Sequence, residues 1–161
     1  MFWPPRTAVL RALAAVGIAL ALLLPGRAAL ASDVLDWDEE PARSIEIVIE
    51  KETQQMAVYV DGELRYAFRV STGRRIQPTP SGRFRPLSLV RMAYAPKYDN
   101  APMPWSIFFT PQGHAIHETG HLDTLGRPVS HGCVRLEPEA AQLLYALVQR
   151  VGLKRTTIEI Y

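Results

Sequence analysis

A mainly β domain with one helix packed on it is the fold class that this 161-residue chain predicts. Three observations predict it. Apolar residues alternate at period two in several short runs. Turn residues separate those runs. A single stretch near the C-terminus carries apolar residues at three-to-four spacing. The order is strands, then a helix, then a strand, which is the pattern of a helix set against sheet.

The first residues stand apart from this pattern. Arg6 and Arg11 precede and border an unbroken small-and-apolar run, Ala12 to Leu24, and no acid precedes Asp33. Pro25 and Gly26 end the run, and Ala29-Leu30-Ala31 offers the small-x-small site of signal peptidase. The run is 13 residues, against the roughly 20 that a membrane span needs. Residues 1–31 are therefore predicted to be a secretory signal peptide, with an uncleaved anchor as the alternative. Cleavage would leave 161 − 31 = 130 residues, enough for one core and without a transmembrane segment. It would also remove three of the 18 Lys+Arg and none of the 16 Asp+Glu, giving 15 − 16 = −1. That balance supplies no basic footprint for a nucleic-acid partner.

The elements follow in order. Residues 32–43 are acidic, lack a period and read as an exposed lead-in to a domain spanning 44–161. Ile45, Ile47 and Ile49 alternate as a strand. "QMAVYVDGELRYAFRVSTG" is two apolar runs around Asp61-Gly62, a hairpin signal. Residues 73–82 are turn chemistry. "RFRPLSLVRM" reads as one strand with Pro86 at an edge or bulge. "AYAPKYDNAPMP" holds three prolines and reads as a long loop. "WSIFFT" and "GHAIHE" read as short strands, and the stretch to Ser130 as loop. From Glu137 to Val151 the chain reads as a helix. Pro138 fits its first turn, Gly152 its C-terminal cap, and Leu143, Leu144, Leu147 and Val151 its apolar stripe. "TTIEIY" closes the chain as a strand.

The chemistry centres on Cys133, the single cysteine. One cysteine forms no disulfide within the chain, so Cys133 is a buried filler, an intermolecular link or a reactive thiol. A reactive thiol needs a base or positive surroundings to lower its pKa. All four histidines, His114, His117, His121 and His131, lie within 20 positions of it. A loop of sixteen positions separates His117 from Cys133 and is long enough to fold back. Gly132 lets the backbone approach a substrate closely. Arg135 shares a face with Cys133 if the chain is extended there, and suits a carboxylate.

"SHGCVRL" with an upstream "IHET" resembles the L,D-transpeptidases, the YkuD-like catalytic domain of bacterial cell-wall enzymes. "STGRRIQPTPSGRF" and "YDNAPMPWSIFF" are similar to further segments of that family, so the likeness runs from about Ser44 to Tyr161. The resemblance implies a β-sandwich-type fold with one main helix near the C-terminus. It implies Cys133 as nucleophile, His117 as general base oriented by the Glu118 carbonyl, and Ser130, His131 and Gly132 around an oxyanion pocket. Arg135 would bind or order the substrate. Glu118 departs from the family pattern, where Gly or Ser is usual, and stands beside the base as a further candidate at the substrate site. Tyr98 and Trp105 are candidates to line the substrate groove, with ordinary packing as the alternative.

The chemistry so implied is acyl transfer on peptidoglycan stem peptides. A thioester forms, D-alanine leaves, and a second stem, an envelope protein, a free D-amino acid or water accepts the acyl group. No cofactor and no metal are implied. The location is the periplasm or cell envelope, and carbapenems are the expected inhibitors. Two rival readings use the same residues. "HETGH", 117–121, matches the H-E-x-x-H zinc signature, which requires a helix that Gly120 and the preceding strand oppose. A silent wall-binding domain would keep the fold without the reaction.

Overall fold

The computed structural model describes residues 42–161; the predicted signal peptide and most of the lead-in lie outside them. β1 (Ile45–Glu50) buries Ile45, Ile47 and Ile49 on one face, as period two requires. β2 (Gln55–Val60) and β3 (Glu63–Arg69) form the expected hairpin. Its loop is the two residues Asp61 and Gly62, at φ 52° and 87°. Two positive values define the turn that Asp-Gly adopts most readily.

"RFRPLSLVRM" is not one strand. It divides at Pro86 into β4 (Gly82–Phe84) and β5 (Ser88–Ala95), which join different sheets. Proline lacks the N–H that would carry a ladder onward, so the chain changes sheet there. The stretch read as a long loop, 93–104, is also mostly strand. β5 runs through Ala95, and β6 (Ala101–Phe108) begins after a five-residue turn. Pro102 and Pro104 are tolerated because that half of β6 pairs only with β5. Its pairing with the next strand is limited to Ile107 and Phe108.

β7 (Ala115–Glu118) and β8 (Val134–Leu136) pair in parallel. The helix α1 (Pro138–Val151) starts with Pro138 at its first position and ends on Gly152, as its sequence predicts. Its inward face is Ala140, Ala141, Leu144, Tyr145, Leu147, Val148 and Val151, with Leu143 at the margin. β9 (Thr156–Ile160) closes the fold.

The strands form two sheets, β3-β2-β1-β9-β4 and β5-β6-β7-β8. Ile47, Val58 and Ile158 from the first meet Ile107, Ile116 and Leu136 from the second, with α1, in one core. Each such side chain stabilises the fold by about 1.5–3 kcal/mol relative to exposure. This core fixes the β7–β8 pair, and that pair carries the site. No described helix is long and apolar enough to cross a membrane.

Candidate active site

The parallel ladder sets His117 opposite Arg135, so both side chains stand on one face. Cys133 comes two positions before Arg135, at the mouth of β8. All three line one open cleft of about 1200 Å³. Ile116, Val134 and Leu136 take the other face and enter the core. The chain thus alternates between core and chemistry over these few residues.

His117 is 7% exposed, and its Nδ1 lies 2.7 Å from the carbonyl oxygen of Glu118. A carbonyl only accepts, so Nδ1 carries the proton and Nε2 keeps its lone pair. Burial holds the ring down to a pKa of about 4; the Glu118 carbonyl opposes that shift and the Arg135 charge adds to it. Burial pushes the Cys133 thiol above its ordinary value of 9.0, against the Ala115 N–H and the Arg135 charge, which favour the thiolate. The activating groups expected from the sequence are present, but burial outweighs them. The resting pair is therefore thiol and neutral imidazole.

The turn before Cys133 is braced from two sides. Ser130 Oγ donates to the Cys133 carbonyl and accepts the Gly132 N–H at 3.1 Å. Thr79 Oγ donates to the Gly132 carbonyl at 2.8 Å and accepts the Gly73 N–H at 2.8 Å. Buried Gln54 exchanges two hydrogen bonds with Thr72, one of them 2.8 Å from the Thr72 N–H. Gly132 has φ +117°, a conformation that favours glycine, and a Cβ there would stand 3.0 Å from the His114 ring and press on it. His131 stacks on Tyr98 at 4.2 Å between centroids, and the Tyr98 hydroxyl accepts from Gln77 at 3.2 Å.

A model of the L,D-transpeptidase catalytic domain, YkuD, matches residues 44–160 of the chain. The chain belongs to this family. A curated relative, YqjB of Bacillus subtilis (strain 168), provisionally named an L,D-transpeptidase, is 26% identical over 63% of this chain. An L,D-transpeptidase of Mycobacterium smegmatis shares the fold at TM-score 0.66 and 23% identity, over 74% of this chain. The L,D-transpeptidase LdtMt1, solved in complex with imipenem, does so at TM-score 0.66 and 22% identity, over 73%. This YkuD-family chain spans 65% of YqjB and 59% of each of those two solved chains.

The YkuD-family domain brings Cys133, His117, Ser130, His131, Arg135 and Tyr98 to one cleft. Gly132 lies beneath it, with its N–H already taken by Ser130. Glu118 also lines the cleft, and its backbone carbonyl holds the His117 ring. Trp105 lies outside the cleft. It sits at φ 54°, packs edge-on against Tyr145 at 5.4 Å and carries Arg91 at 4.8 Å, so packing is its role. The zinc reading fails on conformation: 115–118 is strand, and His121 follows in a turn. The two imidazoles share no helical face, and no described cluster of His, Cys, Asp or Glu is arranged to hold a metal.

Sequence reasoning missed Gln54, Thr72, Thr79 and Thr110, whose hydroxyl and amide contacts hold the site. His114, at the loop end just before β7, also lines the cleft. The turn-rich "STGRRIQPTPSG" was the only signal for the bracing residues, and it marks a turn without saying what the turn touches.

Proposed function

We propose that the domain is a cysteine-dependent L,D-transpeptidase acting on peptidoglycan stem peptides in the bacterial cell envelope. The observation that carries this reading is one cleft holding Cys133 and a histidine whose Nδ1 is tied to the Glu118 carbonyl. That tie leaves Nε2 of His117 as the proton acceptor.

In the reaction so read, Sγ of Cys133 attacks the carbonyl carbon of an L-to-D peptide bond, and Nε2 of His117 takes the thiol proton. The C=O π pair moves to oxygen. Since Ser130 occupies the Gly132 N–H, this reading gives the N–H of Cys133, next to Sγ, as a backbone donor to that oxygen. Collapse expels the amine of D-alanine, protonated by His117, and leaves a thioester. An amine of a second stem or of an envelope protein then attacks the thioester, with His117 again as base. Arg135, which pairs with no carboxylate among the described residues, suits a carboxylate of the stem. Tyr98 forms a wall of the groove. The run Ala12–Leu24 and the Ala29-Leu30-Ala31 site support export to the envelope.

The test is intact mass after incubation with imipenem, the ligand of the solved relative LdtMt1. One adduct on wild type, none on Cys133→Ala and no effect of EDTA are expected. An unmodified wild type would sink the reading. Stem peptides with and without an amine acceptor then tell cross-linking from hydrolysis.

A further inference from the structure

His114 has no part in the reaction as read above, yet it borders the reacting atoms. The carbonyl of the preceding residue, Gly113, lies 3.9 Å from the Cys133 Sγ. The Cδ2–Nε2 edge of the ring covers the α-carbon of Gly132: a Cβ there would be 3.0 Å from Cδ2 and 3.1 Å from Nε2. That α-carbon is two bonds from the nitrogen of Cys133. The ring edge therefore flanks the peptide whose N–H faces the oxyanion.

Thr110 decides which nitrogen of His114 bears hydrogen. Thr110 Oγ accepts the backbone N–H of His114 at 3.1 Å and lies 2.8 Å from its Nδ1. Thr110 is buried, so its hydroxyl proton needs an acceptor, and Nδ1 is the one in reach. Nδ1 accepts, and Nε2 carries the N–H. No buried side-chain nitrogen or oxygen among the described residues lacks a partner. Nε2 has no partner among the described residues, so it opens to the cleft. Burial also lowers the pKa of His114 below 6.5, which keeps the ring neutral.

We propose that the Nε2–H of His114 is a second donor to the oxyanion, beside the N–H of Cys133. The assignment rests on the acyl-transfer reading above. As the Sγ–C bond forms, the carbonyl π pair moves to oxygen, and His114 donates a hydrogen bond to that oxygen without surrendering its proton. Thr110 is a positioning residue that holds the ring in the donating tautomer, so little reorganisation is needed at the moment of attack.

Two reactions of the same thiol test this. Acylation by imipenem passes through a tetrahedral oxyanion. Alkylation by iodoacetamide displaces iodide and forms none. In His114→Leu the acylation rate constant is expected to fall roughly 100-fold, with alkylation unchanged. His114→Gln, which returns an N–H donor, should recover part of the loss. Thr110→Val should slow acylation alone, and Thr110→Ser should restore it. If His114→Leu does not fold, the two Thr110 variants decide by the same ratio of rates. Unchanged acylation in His114→Leu, or an equal fall in both reactions, would overturn the assignment and leave the cysteine mechanism standing. A wild type that imipenem does not acylate, or an adduct that survives Cys133→Ala, would remove the cysteine mechanism and the assignment with it.

Discussion

Burial acts on Cys133 and His117 in opposite directions: it disfavours the thiolate of one and the imidazolium of the other. The neutral pair that results sets an expectation for thiol chemistry. Alkylation of Cys133 by iodoacetamide should be slow near neutral pH and keep rising as the pH passes 9.0. A rate plateau already reached at neutral pH would indicate a thiolate–imidazolium pair and contradict this account. At this scale the sequence was informative about Cys133, His117 and Arg135, because reactive side chains are rare and their spacing is compact. It was silent on Thr79 and Gln54, whose partners lie 53 and 18 positions away. It was ambiguous about Trp105, because an aromatic residue beside a groove and one beneath it have the same local sequence.

Among the elements, the turn preceding β8 depends on one threonine. Thr79→Val keeps the shape and removes both bonds, leaving the Gly73 N–H and the Gly132 carbonyl unpaired. An unmet buried group costs about 1–3 kcal/mol. Thr79→Val is thus expected to lower stability by about 2–4 kcal/mol in denaturant unfolding and to slow imipenem acylation; unchanged stability would show that water replaces the lost bonds. The helix, β1 and β9 were legible from periodicity alone. β8 was not, because three residues carry too little period to register. The first half of β6 was not, because prolines mark loops until one knows that a strand has a bare side.

For the molecule as a whole, the pair of Cys133 and His117 ties stability to pH. His117 titrates at about 4 folded and near 6.5 unfolded. The unfolded chain therefore binds more protons between these values, and stability must fall as the pH drops through them. The loss is about 3 kcal/mol. Cys133 acts with the opposite sense, its stabilisation present below 9.0 and lost as the pH rises through its higher folded value. Denaturant midpoints measured across this range should show a plateau between 6.5 and 9.0 from this pair. His117→Asn should flatten the acid limb, and an unchanged limb would assign it to other groups. The general architecture, strands with one helix, was readable from the sequence. The partition into two sheets was not, since it depends on where Pro86 sends the chain.

The position of β9 between β1 and β4 has a consequence for how the chain comes into being. β4 has no neighbour in its sheet except β9, and β1 keeps one flank bare until Thr156–Ile160 arrive. A nascent chain paused anywhere before those last residues holds an unfinished sheet with an open seam. Closure of this sheet therefore waits for Thr156–Ile160, and a chain cut before Thr156 should fail to fold cooperatively.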